Sequence, residues 1–133
     1  MSTSQTLPTP PFDDFARVER SLLEAARRSP KDAGNWAQAA IYLSNRGEHR
    51  RAVAVLWEAI ANCGDLPELL QAIADLLVDQ PAHPHRLEAL ARLAAIRPDN
   101  IDVLVNYGLA ALHAPNPADA LIPLRRAVLL GES

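Results

Sequence analysis

A pattern of small and apolar residues returns three times along this chain, with a period of about 34 residues. Its first occurrence consists of Trp36, Ala40, Leu43, Ala52, Leu56 and Ala59. The second consists of Leu70, Ala74, Leu77, Arg86, Leu90 and Leu93, and the third of Leu104, Gly108, Ala111, Ala120, Leu124 and Ala127. Small or apolar character is lost only at Arg86. A repeat of this length, kept in phase, is typical of a helical solenoid, in which neighbouring units bury each other's apolar faces.

Composition narrows the classes of function. The chain has 133 residues, of which 49% are apolar, and this suits one domain with a buried core. Its formal net charge of −3 disfavours nucleic-acid binding, which usually needs a basic patch. The single cysteine, Cys63, cannot form an intramolecular disulfide, and we expect it to be a small buried residue.

Neither a membrane span nor a signal peptide is predicted. No apolar run approaches the roughly 20 residues that a membrane-spanning helix needs. Residues 1–11 are mostly small, polar and proline, so we expect a disordered tail there. A cytoplasmic location is therefore the expectation.

Helix start and stop signals divide the rest of the chain into seven helices. We expect a single domain over residues 12–131, in which a half repeat precedes three hairpins. The half repeat covers residues 12–30, and the hairpins cover residues 33–66, 67–100 and 101–133.

The helix ends carry their own signals. Asp13, Asp65, Asn100 and Asn116 are the predicted N-caps of the first, fourth, sixth and seventh helices. Gly64 is placed to end the third helix. The fourth helix is expected to end by Asp79.

In this register, the spacing of these residues resembles that of the tetratricopeptide repeat (TPR) family, in particular its small bacterial proteins. That family has a large residue at place four, Gly or Ala at place eight, Ala at places 20 and 27, and often Pro at place 32. The matching residues are Trp36, Ala40, Ala52 and Ala59, then Leu70, Ala74 and Pro98, then Leu104, Gly108, Ala120 and Ala127. Arg86 and Leu93 depart from it. The resemblance implies an all-α fold, a right-handed α-solenoid of three helical hairpins preceded by one N-terminal capping helix.

The resemblance also implies a peptide groove, because the first helix of each TPR hairpin lines the concave face. The groove residues predicted in this way are Ala37, Ile41, Asn45, Gln71, Asp75, Asp79, Val105, Leu109 and Leu112. Such a groove is apolar at both ends and acidic in the middle. It suits a protein or peptide partner that carries apolar and basic residues.

Two functions remain open on this reading. The first is a non-enzymatic interaction scaffold, adaptor or chaperone that holds a partner peptide or helix in the groove. The alternative is an assembly or targeting module of a larger enzyme system, such as a glycosyltransferase. TPR proteins that bind a C-terminal carboxylate have Lys at place five and Asn at place nine of one repeat. Ala37 and Ile41, and their equivalents in the other hairpins, do not match that pattern.

No residues are predicted to bind a metal or cofactor or to catalyse a reaction. His83, His85 and Asp79 lie around Pro84, which makes a kinked loop rather than a helix face with paired ligands. Asp75 and Asp79 form an i, i+4 carboxylate pair, but no surrounding pattern would separate their pKa values for acid–base work. We therefore expect neither an enzyme nor a cofactor.

The last predicted helix carries apolar residues that no later helix covers. Leu121 and Val128 lie at the places where earlier hairpins pack on the next repeat, and Leu130 is nearby. Exposed side chains of this kind lose about 1.5–3 kcal/mol each relative to burial. We expect this surface to be covered by a second copy of the chain, by the protein partner, or by a continuation of the chain.

Overall fold

The computed structural model describes residues 11–132, with side chains described from residue 14 onward. Every regular element in this part of the chain is helical. The elements are α1 (Pro11–Arg28), α2 (Ala33–Asn45), α3 (His49–Cys63), α4 (Pro67–Leu76), α5 (Pro84–Ile96), α6 (Ile101–Leu112), a 3₁₀ turn (Pro117–Ala120) and α7 (Leu121–Gly131). They fall into two compact units, one up to Cys63 and one from Gly64 onward. The predicted tail lies almost entirely outside the described residues.

In the first unit, α2 packs on α3 as a hairpin, and α1 packs on α2. Trp36 is fully buried, and its indole N–H donates to the Pro30 carbonyl over 2.9 Å. The Cys63 thiol donates to the same carbonyl over 3.3 Å. Cys63 is therefore half-buried and hydrogen-bonded, and the prediction of a simply buried apolar residue was wrong.

Exposed ion pairs join α1 to α3. Arg27 bonds the Glu58 carboxylate, and Arg51 pairs with Glu19. The hydrogen bond to Glu58 raises the pKa of Arg27 above its usual value. Since Arg27 and Glu58 both lie near solvent, their pair orients α1 more than it stabilises it.

In the second unit, α4 packs on α5, α5 on α6, and α6 on α7. The buried centre includes Ala74, Leu90 and Ala110, with Leu87 and Tyr107 packed against it. Ala74, at the predicted close-contact place, is only 1% exposed. The second hairpin thus keeps its close packing although Arg86 stands where the repeat pattern has alanine.

The structure confirms some of the predicted helix ends. Gly64 follows the end of α3 with a φ of 93°, and Gly47, in the turn before α3, has a φ of 80°. L-residues rarely adopt such values, which explains glycine at both places. Asn100 caps α6 by accepting a hydrogen bond from the Val103 N–H over 3.1 Å.

Other predicted ends were wrong. α1 begins at Pro11, so Asp13 lies inside the helix instead of before it. The residue before α4 is Leu66, which makes no side-chain cap, while Asp65 pairs with Arg92 of α5. Asn116 makes no side-chain cap either, because the chain forms a 3₁₀ turn before α7 begins at Leu121.

α4 ends at Leu76, within the predicted limit of Asp79. The Ala74 carbonyl accepts a hydrogen bond from Arg86 Nε over 3.1 Å and another from the Leu77 N–H, three residues ahead. The backbone of Val78 likewise bonds Asp75, three residues back. The side chain of Arg86 thus takes an acceptor that a continuing α-helix would use, and the chain tightens into a turn.

A charge pair recurs in the second and third hairpins. Arg92 bonds Asp65 over 3.0 Å, and Arg126 bonds Asp99. Both arginines lie on the second helix of their hairpin, and both aspartates lie just before the first helix. The pKa of Arg92 is raised mainly by its hydrogen bond to Glu88, with Asp65 adding to the effect. This pairing was not predicted, because the two partners are far apart in sequence.

Candidate functional site

Ile41 and Leu109 occupy the same place, the ninth, in the first and third hairpins. Ile41 is 58% exposed on α2, and Leu109 is 50% exposed on α6. Large aliphatic side chains this exposed on the first helix of a hairpin are available for contact with another molecule. The corresponding residue of the second hairpin is Asp75, which is also exposed.

The exposed face of α6 carries an apolar stripe. Leu109 and Leu112 are exposed, and Val105 is half-buried. Ile101, exposed at the first residue of α6, extends the stripe. The four residues share one face because they are spaced at i, i+4, i+8 and i+11. Ile101 was missed, although this spacing is visible in the sequence.

α2 contributes fewer exposed apolar residues to the predicted groove than α6 does. Ala37 is half-buried, and Asn45 is the exposed last residue of the helix. Just beyond it, the Arg46 guanidinium lies 4.0 Å from the centre of the Phe15 ring. This cation–π contact places the positive charge of Arg46 against Phe15 of α1, and the predicted groove included neither residue.

The two predicted acidic residues, Asp75 and Asp79, lie in different environments. The Gln71 side-chain amide donates to the Asp75 carboxylate over 2.9 Å, so these two residues are held together on α4. Asp79 is exposed in the turn beyond the end of α4. The prediction that Asp75 and Asp79 form an i, i+4 pair on one helix was wrong, because the helix stops between them.

A surface cavity of about 470 Å³ lies in the second unit, beside the predicted residue Gln71. It is lined by Pro67, Glu68, Gln71, Leu93, Arg97, Asn100 and Val103. Arg97 and Asn100 come from the connection between α5 and α6. They were not predicted, because the family resemblance assigns groove residues only to the first helix of each hairpin. The cavity thus places one acidic and one basic side chain around a partly apolar wall.

The predicted C-terminal surface is exposed in part. Leu121 and Val128 are exposed on α7, whereas Leu130 is half-buried. Ile122 and Leu129 are exposed on the same helix and were missed. The sequence signal for them is their spacing of seven residues, which places both on one face.

The histidines near Pro84 have a structural role. His83 precedes α5, and its Nδ1 accepts a hydrogen bond from the His85 N–H over 3.1 Å. Their rings are stacked with centroids 5.4 Å apart. No group of three or more potential metal ligands occurs among residues whose side chains are described. Within the described chain, no helix combines the length and apolar character that crossing a membrane requires.

No protein-family model and no curated protein matches the sequence. Solved structures do match, among them "Crystal structure of MamA protein", with 18% identity and a TM-score of 0.66 over 89% of this chain. A MamA fragment from Desulfovibrio magneticus RS-1 matches with 21% identity and a TM-score of 0.57. The present chain covers 64% and 63% of those two chains, a little under two thirds of their length. MamA is a TPR-like protein, and these likenesses show that the present chain has a TPR-like, all-α solenoid fold.

Proposed function

We propose that this protein is a non-enzymatic interaction scaffold that holds a segment of a partner protein against α4 and α6, the first helices of its second and third hairpins. The observation that supports it most is the exposed aliphatic stripe of α6, which includes Ile101, Leu109 and Leu112. Contiguous exposed apolar surface is more informative than a single exposed residue, because it marks sites of interaction with other proteins. The structural neighbours, which are TPR-like, agree with a role in protein binding.

The chemistry of the partner segment follows from the side chains at the proposed site. Aliphatic residues of the segment would contact Leu109 and Leu112 on α6. Lysine or arginine would be attracted by Asp75 and by Asp79 in the following turn. Because each apolar contact adds affinity while the acidic residues steer association, a segment with both kinds of residue would bind best. A chaperone or adaptor acting in the cytoplasm would fit this binding mode.

The test begins with selection of binding peptides from a random peptide library displayed on phage, with the purified protein immobilised. The expected result is enrichment of sequences that combine aliphatic residues with Lys or Arg. The affinity of a selected peptide is then measured for Leu109→Asp and Leu112→Asp. Each variant should weaken binding at least about tenfold, since a charge replaces an apolar contact.

Matched controls place the same change on exposed aliphatic residues elsewhere. Val18→Asp on α1 and Ile96→Asp on α5 change side chains that are comparably exposed but lie outside the proposed site. Both should bind the peptide as the unchanged protein does. If the control variants lose as much affinity as the site variants, the proposed site is wrong.

A further inference from the structure

The outer face of α7 consists of four exposed aliphatic side chains around one arginine. Leu121 is 57% exposed, Ile122 79%, Val128 60% and Leu129 59%. Arg125 lies three or four residues from each of them, so it occupies the centre of this face. Arginine ringed by apolar groups is a frequent arrangement at the centre of protein interfaces, because the ring excludes water from the charged contact.

Arg125 is exposed and has no acidic partner among the described residues. The adjacent Arg126 differs, since its Nε donates to the Pro98 carbonyl over 2.7 Å and its guanidinium pairs with Asp99. Arg126 is therefore bound within its own hairpin, whereas Arg125 lies on the outer face of α7. The positive charge of Arg125 is available to an external carboxylate.

The preceding hairpin shows how part of such a face is covered. One repeat earlier, the residues equivalent to Leu121, Arg125 and Val128 are Leu87, Ala91 and Ala94 of α5. α6 packs on α5, and Leu87 packs against the cluster that includes Ala110 of α6, so a helix covers this part of the face, whereas the equivalents of Ile122 and Leu129 are exposed. The alanines permit a close approach, whereas Arg125 and Val128 would hold the same kind of helix away. The outer face of α7 thus suits a helix that differs from α6 by carrying an acidic residue.

A second copy of this chain fits the face poorly. A two-fold dimer formed by antiparallel α7 helices would place the centre of each face on the axis. The two Arg125 guanidinium groups would then meet, and like charges repel. An anionic membrane fits poorly too, because surface-binding helices carry several basic residues, and here Arg126 is engaged with Asp99.

We propose that the outer face of α7 docks an amphipathic helix of a partner protein, which places a Glu or Asp against Arg125 and aliphatic residues against the surrounding four. This site is separate from the first-helix site proposed above. It does not depend on that function being correct.

The test uses three synthetic amphipathic helical peptides of one sequence, with four leucines around a central Glu, Gln or Lys. Their affinities for the full chain are measured by fluorescence anisotropy. The Glu peptide should bind about fivefold more tightly than the Gln peptide, and the Lys peptide most weakly. Arg125→Glu should reverse this order in favour of the Lys peptide.

Two control variants separate this site from the rest of the surface. Arg50→Glu makes the same charge change on an exposed arginine of α3 and should leave the order of the three affinities unchanged. Leu109→Asp alters the first-helix site and should also leave the order unchanged. Circular dichroism of each variant verifies that the fold is retained.

Several results would overturn the proposal. Equal affinities for the three peptides would show that Arg125 recognises no carboxylate. Loss of Glu-peptide binding in Leu109→Asp would place the peptide at the other site. A dimer in light scattering that Leu121→Glu with Val128→Glu converts to monomer would identify the occupant as a second copy. Sedimentation with phosphatidylglycerol vesicles that is lost in Arg125→Glu would identify it as a lipid surface.

Discussion

At the scale of single residues, Gly108 shows how closely two helices of this chain approach. A Cβ atom added there would lie 2.4 Å from both Cγ and Cδ2 of Leu124 on α7. The equivalent residues of the other hairpins are Ala40 and Ala74, which are both buried. The repeat pattern therefore tolerates glycine or alanine at this place, and in the third hairpin a Cβ atom would force the Leu124 side chain to move.

Gly108→Ala should destabilise the fold by about 1–3 kcal/mol, since overpacking against Leu124 exceeds the gain of about 1 kcal/mol in helix propensity. Denaturant unfolding of the single variant measures the loss. In a Leu124→Ala background the space is open, and the same change at Gly108 should be neutral or stabilising. Equal destabilisation in both backgrounds would contradict the close contact.

Arg86 is the one polar residue of the repeat pattern, and the structure gives it a backbone partner. Its guanidinium bonds the Ala74 carbonyl and, more weakly, the Pro81 carbonyl. Arg86→Ala should lower the free energy of unfolding by about 1.5–3 kcal/mol, because it removes charge-assisted hydrogen bonds from a partly buried group. Chemical denaturation checks the value. Arg92→Ala is the control, since its exposed ion pairs should contribute only about 0–1 kcal/mol.

At the scale of helices, the N-caps differ in strength although their sequence signals look alike. Asn100 and Asn116 precede the first helix and the second helix of the third hairpin. The Asn100 side chain bonds the Val103 N–H, whereas Asn116 makes no cap bond and contacts Asp119. The difference arises because a 3₁₀ turn at Pro117–Ala120 leads into α7.

Asn100→Ala should therefore cost about 1 kcal/mol of stability, the usual value of an N-cap hydrogen bond. Asn116→Ala, which removes the same side chain from the other helix, should change stability by less than about 0.5 kcal/mol. Thermal melts of the two variants provide the comparison. A larger loss for Asn116→Ala would contradict the assignment of the two caps.

At the scale of the whole molecule, acidic and apolar residues of the proposed site should affect different steps of binding. Asp75→Lys with Asp79→Lys should slow association of a selected basic peptide and reduce the salt dependence of its association rate. Leu109→Asp should instead raise the dissociation rate. Stopped-flow kinetics at two ionic strengths separates the effects.

The control for the charge reversal is Asp119→Lys with Glu132→Lys, which makes the same change in net charge within the α7 hairpin. If this variant slows association as much as Asp75→Lys with Asp79→Lys does, the effect comes from net charge. The acidic residues of α4 and the following turn would then have no specific role in steering the partner.

Much of the fold could be predicted because its determinants are local or periodic. Small residues at places 8 and 20 and large ones at place 4 mark the hairpins, and Trp36, Ala74 and Gly108 are buried as the period predicts. Among the candidate site residues, the exposure of Ile41, Leu109, Leu121 and Val128 follows the same rule, because helical spacing determines which face a residue occupies.

The sequence by itself thus determined the number of helices, their pairing into hairpins and the faces that they bury. Only the tertiary structure decided where α4 ends and which partner each charged residue takes. Arg86 reaches back to the Ala74 carbonyl, and Asp65 bonds Arg92 instead of capping α4. The physical reason is that helix periodicity acts between near neighbours, whereas these hydrogen bonds depend on competition among donors that folding brings together from distant parts of the chain.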